Sequence, residues 1–458
     1  MTRLKPLTKM TNHKQCLKNV LRNSPGRGKQ ALFLIFLLFC IAVPNRSTLG
    51  AGPAEGLQGK LVVGYQGWFG CPGDYEGNRQ WQHWFAGEAR AERFNVDMLP
   101  ALNQFKPEDL CATDMRTNEG SPVRLYSAQN PNVVAVHFRW MADHGIDGAA
   151  VQRFVKPLEI PDLLRRSDRV MMNAGAGAEG AGRAFFICYD VSGADPGKVT
   201  ARIRADWKHL VQDLKITSSP SYLRSNGKPV LEIWGFGFKG RPGEPQEVLR
   251  LVQDLKAGRD GLQAATLIGG VPTNWRTLER DSKTEPQWAE VYRSYDVISP
   301  WSVGRFADNP GADDFVRTHV LPDMAETRRL GIGYMPVIFP GFSAFNRRAH
   351  HPDGPKPILN QIPRQCGNFL WRQVYGLLSS NADMLYAAMF DEVDEGTALF
   401  PTVTTADMLP RGAKMVYPDQ DGCKLPDDWY LRVTGKAAQY LHQRTAPPVS
   451  LDAAMKTP

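Results

Sequence analysis

Short apolar runs recur along the chain after residue 57, and stretches with helical periodicity or loop composition separate them. The eight runs lie at 61–65, 148–152, 184–189, 229–234, 265–270, 296–301, 333–339 and 384–390. Uninterrupted apolar runs of this length are typical of strands covered on both faces, as in a parallel sheet. Eight such strands alternating with helices predict an α/β fold of the (β/α)8 TIM barrel type.

Two segments between the runs stand out. Residues 66–130 form an insertion after strand 1 that is too long for a simple crossover, and loops of that size usually serve a site. The glycine-rich stretch at 175–182 follows no strand, so we interpret it as a flexible loop rather than a phosphate-binding loop. A helix is predicted from Pro131, because Asn130 suits the cap and Val133, Val136 and Trp140 share one face.

The N-terminal region has the character of a targeting segment. Of the 55 basic residues, nine lie in the first 50 positions, which contain no acidic residue. Residues 51–458 are therefore nearly neutral, and their composition does not indicate a basic surface for nucleic acid. The apolar run at 31–43 is shorter than the roughly 20 residues of a membrane span and suits the core of a secretory signal. We therefore expect an exported protein, secreted or periplasmic; an uncleaved membrane anchor formed by 31–43 is the alternative.

This organisation predicts four segments. They are a basic region at 1–30, a signal or anchor core with its cleavage region at 31–55, a barrel at 56–445 and a flexible tail at 446–458. Five cysteines follow the leader with no CxxC spacing, which gives no zinc signature. The sequence is compatible with two alternatives, a Cys71–Cys111 disulfide and buried free thiols.

The last apolar run leads directly into a cluster of carboxylates: Asp391, Glu392, Asp394 and Glu395. In parallel α/β proteins the carboxyl end of a strand opens into loops that aim side chains at a ligand. Because strand side chains alternate between faces, a shared site requires the strand to stop near Phe390. A solvated loop or the first turn of a helix is the alternative.

Nearly every predicted strand end carries an aromatic residue beside a polar one. Sugars require this mixture, since their C–H faces stack on aromatic rings and their hydroxyls take hydrogen bonds. The candidate sugar-binding residues are Tyr65, Gln66, Trp68, Gln152, Arg153, Tyr189, Asp190, Glu232, Trp234, Trp275, Trp301, Asn346, Asp391 and Asp394. The pattern contains no nucleotide or cofactor motif, and His83 has no second ligand at a metal-binding spacing. We therefore predict an oligo- or polysaccharide substrate without a metal or a cofactor.

Three motifs together resemble those of a known group of barrel enzymes. Residues 63–69, 188–193 and 391–397 are similar to barrel-strand motifs of the glycoside hydrolase family 71/99-like proteins, the grouping around endo-α-mannosidase. The likeness covers most of residues 57–445. It implies that Glu392 is the base that deprotonates the sugar 2-hydroxyl, giving a 1,2-anhydro intermediate with retention. Glu395 would then be the general acid/base on the leaving oxygen.

The acidic motif also differs from that family. Its members have asparagine before the first glutamate and Trp-His between the two, whereas this chain has Asp391 and Val393-Asp394. We predict a glycoside hydrolase that uses Glu392 and Glu395 to cleave internal, α-linked bonds. The alternatives are a non-catalytic carbohydrate-binding barrel and a barrel enzyme whose acid cluster holds a divalent cation through oxygen ligands.

Overall fold

The computed structural model describes residues 55–75, 77–351 and 354–457. The predicted basic region and nearly all of the signal or anchor segment lie outside these residues. Within the described ranges, no helix is both long enough and apolar enough to cross a membrane.

Twelve strands are present in the described residues. They are β1 Leu61–Tyr65, β2 Leu110–Arg116, β3 Pro122–Tyr126, β4 Gly148–Phe154, β5 Ala184–Asp190, β6 Arg224–Ser225, β7 Lys228–Trp234, β8 Thr266–Val271, β9 Val297–Pro300, β10 Gly333–Tyr334, β11 Val337–Ile338 and β12 Leu385–Ala387. The parallel sheet runs β10-β9-β8-β7-β5-β4-β1-β12-β11, and β6 pairs antiparallel with β7.

The sheet closes through a single broken strand. β10 and β11 are the two halves of the seventh predicted strand, interrupted at Met335 and Pro336, where proline has no N–H to donate to a ladder. The first half pairs with β9 and the second with β12, which itself pairs with β1. The eight predicted strands therefore form one ring, and the TIM-barrel prediction is confirmed.

Helices connect the strands. The α-helices of the described residues are Pro131–Asp143, Pro161–Ala181, Val199–Lys208, Pro245–Ala257, Trp288–Arg293, Asn309–Phe315, Leu321–Leu330, Phe345–Ala349, Asn368–Ser379, Trp429–Gln443 and Leu451–Lys456. The first begins as predicted, with the Asn130 side chain accepting the backbone N–H of Asn132 at 2.9 Å. This cap satisfies one of the N–H groups that a helix start leaves unpaired.

Two segments differ from the sequence-based expectation. The glycine-rich stretch forms the end of the helix Pro161–Ala181, with Gly182 as its left-handed C-cap. Its small residues allow close packing, since a Cβ on Gly177 would lie 3.0 Å from Phe138 and one on Gly175 would lie 3.1 Å from Phe185. Residues 446–458 were expected to be a flexible tail, yet they form the helix Leu451–Lys456, whose Leu451 is buried. Apolar burial holds this segment in place.

The insertion after β1 is an ordered layer over the barrel. It contains the antiparallel pair β2–β3, and a disulfide joins Cys71 to Cys111. A second disulfide, not predicted from the sequence, joins Cys366 to Cys423, while Cys188 is a buried free thiol. The insertion supplies His83 and Asn95 to the cleft described next.

Candidate active site

A cleft of about 810 Å³ lies at the carboxyl ends of the barrel strands. Its lining combines aromatic, acidic and basic side chains. The lining residues are Gln66, Trp68, His83, Asn95, Gln152, Phe154, Lys156, Asp190, Ser192, Trp234, Phe238, Arg241, Trp301, Val303, Arg305, Arg347, His351, Met389, Glu392, Asp394 and Glu395. This is the rim on which TIM-barrel enzymes build their sites.

The acidic segment reaches the cleft because the eighth strand ends early. β12 stops at Ala387, and Met389 has a left-handed backbone (φ 56°), a conformation that L-residues rarely adopt. Gly396 closes the segment with φ 64°, and a Cβ there would lie 2.8 Å from the Ser343 nitrogen. The strand therefore ends before Phe390, as a shared acidic site requires.

Asp391 is a structural anchor within this segment. Its two carboxylate oxygens accept the backbone N–H groups of Gln66 at 2.7 Å and Gly67 at 2.8 Å, and the residue is fully buried. Burial raises the pKa of Asp391 to about 6, although these two hydrogen bonds act in the opposite direction. Asp391 therefore lies outside the cleft lining in which a sugar contact was expected, since its oxygens join the ends of β1 and β12.

Glu392 lies at the base of the cleft with both oxygens held. The Gln66 side-chain amide donates to Oε1 at 2.7 Å and the Thr397 hydroxyl donates to Oε2 at 2.6 Å. Burial raises the pKa of Glu392 well above its usual value, and the neighbouring charges of Glu395 and Asp394 raise it further. The two donors orient the carboxyl group and favour its ionised form, opposing the burial and the neighbouring charges that favour the protonated form.

Asp394 and Glu395 share one cationic partner. Arg347 contacts the Glu395 carboxylate, and its Nη1 lies 3.7 Å from Asp394 Oδ2. Burial raises the pKa of Asp394 to about 7; Arg347 lowers it and Glu395 raises it. The guanidinium thus offsets part of the repulsion within the carboxylate cluster.

Arg347 is positioned by a buried carboxylate in the insertion. Asp97 accepts the backbone N–H groups of Phe345 at 2.6 Å and Asn346 at 2.8 Å, and the Ser343 hydroxyl at 2.5 Å. These bonds hold the start of the short helix Phe345–Ala349, which carries Arg347 toward the cleft. The insertion therefore helps to position a residue of the cleft lining.

Two aromatic groups line the cleft. Trp68 stacks between His83, with ring centroids 4.3 Å apart, and Phe154, at 5.3 Å. Trp234 and Trp301 meet edge to face at 5.7 Å. Flat apolar surfaces beside carboxylates are the combination from which sugar subsites are built.

The predicted site residues separate into two groups. The cleft is lined by Gln66, Trp68, Gln152, Asp190, Trp234, Trp301, Glu392, Asp394 and Glu395, for which substrate contact stays a prediction. The structure places Tyr65, Arg153, Tyr189, Glu232, Trp275, Asn346 and Asp391 elsewhere.

Strand periodicity explains two of these corrections. Gln152 and Asp190 face the cleft, so their neighbours Arg153 and Tyr189 point to the opposite face of the sheet. There Arg153 donates twice to Asp206 at 2.6 Å, and the Tyr189 hydroxyl donates to the same carboxylate at 2.6 Å. These two residues form a buried polar network that stabilises the barrel wall.

The other misplaced residues have local partners below or beside the cleft. The Tyr65 hydroxyl bonds His137 Nδ1 at 3.0 Å, and Trp275 Nε1 donates to Asp323 at 2.9 Å. The Asn346 side chain donates to Asp97 at 2.8 Å. Glu232 is buried, and its burial raises its pKa to about 8.

Sequence reasoning missed several lining residues. The most consequential are the cations Lys156, Arg241, Arg305 and Arg347. They lie beyond the strand ends in loops or short helical turns, where no periodicity indicates direction. Arg347 directly follows the predicted Asn346, and it is Arg347 that lines the cleft.

The four acids do not converge on a common point. Asp391 faces backbone amides and Glu395 faces Arg347. Across the described ranges, no group of three or more His, Cys, Asp or Glu side chains is arranged to hold a metal ion. Oxygen ligands for a hard cation would have to surround one position.

Comparison with solved structures reveals the same architecture. No family profile matches the chain, and no curated protein matches it by sequence. The structure of the GH99 endo-alpha-mannosidase from Bacteroides thetaiotaomicron matches with a TM-score of 0.59 and 16% identity, over 85% of this chain and 99% of that one. The chain has a GH99-like barrel fold.

A second structure of that enzyme, in complex with BIS-TRIS-propane, gives the same result. Its TM-score is 0.58 at 15% identity, with 85% of this chain and 98% of that one covered. The fold implied by the sequence motifs is confirmed. At this identity the likeness extends to the GH99-like barrel, and the chemistry has to be argued from the cleft.

Proposed function

We propose that this GH99-like barrel is a glycoside hydrolase that cleaves internal, α-linked bonds in an oligo- or polysaccharide. The observation that carries the proposal is the presence of Glu392 and Glu395 together in an aromatic cleft at the carboxyl ends of the strands. A pair of carboxyl groups is what glycoside cleavage requires. The cleft volume of about 810 Å³ provides room for more than one sugar ring.

In the proposed reaction the two glutamates have different tasks. Glu392, oriented by Gln66 and Thr397, takes the proton of the sugar 2-hydroxyl, and that oxygen attacks the anomeric carbon. Glu395 gives a proton to the departing glycosidic oxygen. Water then opens the 1,2-anhydro sugar with Glu395 as base, and Glu392 returns its proton to the 2-oxygen, so the 2-hydroxyl is restored and the anomeric configuration is retained. Arg347 must release Glu395 when the glycoside enters, because the ion pair occupies the acid.

Product analysis tests this proposal. Wild-type protein is incubated with α-linked mannans, α-glucans and mixed polysaccharides, alongside Glu395→Gln and the matched control Glu179→Gln, an exposed glutamate outside the cleft. We expect oligosaccharides from wild type and the control, and a loss of at least about 1,000-fold in Glu395→Gln. Glycan binding without turnover by any of them favours the non-catalytic binding barrel.

We also propose that the protein is exported. The two disulfides support this, because structural disulfides persist in oxidising compartments, and so does the apolar run at 31–43. Mass spectrometry of the protein from its native cell is expected to show a new N-terminus between residues 43 and 55. An intact N-terminus in a membrane fraction indicates the anchor instead.

A further inference from the structure

Three cations outside the acidic segment line the cleft. Lys156, Arg241 and Arg305 follow β4, β7 and β9 respectively, and all three side chains line the cleft. We call these three residues the basic wall. In the ring of eight strands, β7 is the fourth and β12 the eighth, so Arg241 follows the strand across the barrel from Glu392. The three cations therefore follow strands that span half of the ring, and Arg241 lies across it from the acidic segment.

The cations of the basic wall are only partly neutralised by the protein. Arg305 pairs with Asp281 at 2.9 Å. Among the described residues, neither Lys156 nor Arg241 forms an ion pair with a carboxylate. Asp190 is the nearby acid; its burial raises its pKa, and Arg241 acts to lower it. Even with Asp190 ionised, the charges of Lys156, Arg241 and Arg305 outnumber those of Asp190 and Asp281, so the wall retains positive charge.

Arg241 is held in a defined orientation. Its guanidinium carbon lies 5.4 Å from the centroid of the Trp234 ring, a cation–π distance. Trp234 is itself braced edge to face by Trp301. This contact uses the flat face of the guanidinium and leaves N–H groups on its edge for a ligand. That edge matches a carboxylate, sulfate or phosphate, which it can bind through two parallel hydrogen bonds.

Binding of a neutral glycan does not require the cations of the basic wall. Sugar hydroxyls are served by the amides and carboxylates present elsewhere in the cleft, such as Gln66 and Gln152. Like charges gathered without counter-charges repel one another and disfavour the folded state. An anion delivered by the substrate would remove that repulsion.

We propose that the basic wall binds an anionic group on the glycan, either a uronate carboxylate or a sulfate or phosphate ester, one or more sugar rings away from the bond that is cleaved. This inference rests on the proposed glycosidase function and narrows its substrate class. The charge on the substrate then increases its affinity and fixes which glycosidic bond lies beside the glutamates, while Glu392 and Glu395 carry out the chemistry.

Calorimetric binding tests the wall separately from turnover. The probes are a neutral manno-oligosaccharide, the same oligosaccharide carrying a sulfate ester, and one of equal length containing a glucuronate residue, all titrated into Glu395→Gln protein to prevent cleavage. We expect at least one anionic probe to bind 10-fold or more tightly than the neutral probe, with an advantage that shrinks as salt rises. The preferred anion identifies the group.

Variants then locate the effect. Lys156→Gln with Arg241→Gln, in the same background, is expected to lose the anionic preference, measured as the ratio of the affinities for the anionic and neutral probes, while an unchanged urea-unfolding midpoint shows that the variant is folded. The matched pair Lys198→Gln with Arg250→Gln removes two exposed cations outside the cleft and should preserve the preference.

The outcomes separate the two proposals. Equal affinity for neutral and anionic probes, or a preference that survives in the Lys156/Arg241 variant, overturns the basic wall. If wild type nevertheless cleaves neutral glycans, the hydrolase proposal stands alone. If the anionic preference is present and depends on the wall while wild type cleaves nothing, the wall stands and the hydrolase proposal fails.

Discussion

Replacement of Arg347 by glutamine is the most informative single perturbation of the acidic cluster. Arg347 contacts Glu395 and lies 3.7 Å from Asp394. Burial alone would lower the pKa of Arg347, but the charges of Glu395, Asp394 and Glu392 outweigh it and raise that pKa, so the side chain is charged throughout the working range. Glutamine removes the charge and retains a polar side chain of moderate length.

The expected magnitude follows from this geometry. The Arg347 side chain is 42% exposed, so solvent screens its interaction and an effective dielectric of about 40 is appropriate. At 3.7 Å two unit charges then interact by about 2 kcal/mol, which corresponds to about 1.5 pKa units. Loss of a positive charge disfavours carboxylate ionisation, so the pKa of Asp394 rises from about 7 by that amount.

Two assays measure this change. The pH profile of kcat/KM should move to higher pH by about one to two units, since the cluster titrates as a unit.

The pH dependence of the unfolding free energy gives a readout independent of activity. The raised pKa of Asp394 in the folded protein favours folding at low pH, and this contribution is lost as pH rises through about 7. In Arg347→Gln this contribution to stability should be lost only as pH rises through about 8.5.

The adjacent arginine provides the control. Arg348 donates to Gln361 at 2.7 Å and does not line the cleft, so Arg348→Gln should leave both profiles in place. A profile in Arg347→Gln that stays unshifted or moves to lower pH, together with an unchanged pH dependence of unfolding, would refute the electrostatic coupling argued above.

Three further predictions concern the supporting structure. Arg153→Met leaves Asp206 buried without its partner and should cost about 3–5 kcal/mol in urea unfolding, with glycan affinity unchanged. Asp391→Asn turns an amide NH₂ toward one backbone N–H and should cost about 1–3 kcal/mol in the same assay; an unchanged midpoint would contradict the anchoring role. Reducing Cys71–Cys111, which spans 40 residues, should lower the unfolding free energy by about 4 kcal/mol, whereas a Cys71→Ser/Cys111→Ser variant should show less sensitivity to reductant.

The positions of the barrel strands were predictable because they depend on local pattern. A buried strand needs a continuous apolar run, and each of the eight runs contains a strand of the ring. Boundaries were less predictable. The run at 384–390 suggested seven strand residues, whereas β12 has three, because Met389 adopts a left-handed backbone that only the packed site imposes.

The candidate site was predictable only in part. Glu392, Asp394 and Glu395 follow a strand closely, so their place at the rim followed from the strand itself. Arg347 could not be found in this way, since its direction depends on Asp97, 249 positions away from the neighbouring Asn346. Similarly, Gln152 and Arg153 were both assigned to the cleft, although alternation along a strand allows only one of them.

The sequence by itself determined which segments become strands, the identity of the paired glutamates and the near-neutral charge of the chain beyond residue 50. These properties depend on composition and on neighbours along the chain. The tertiary structure decided which face each side chain occupies, that Asp391 anchors β1 to β12, and that Lys156, Arg241 and Arg305 share one wall. Those outcomes depend on contacts between distant segments, and such contacts exist only once the ring has closed.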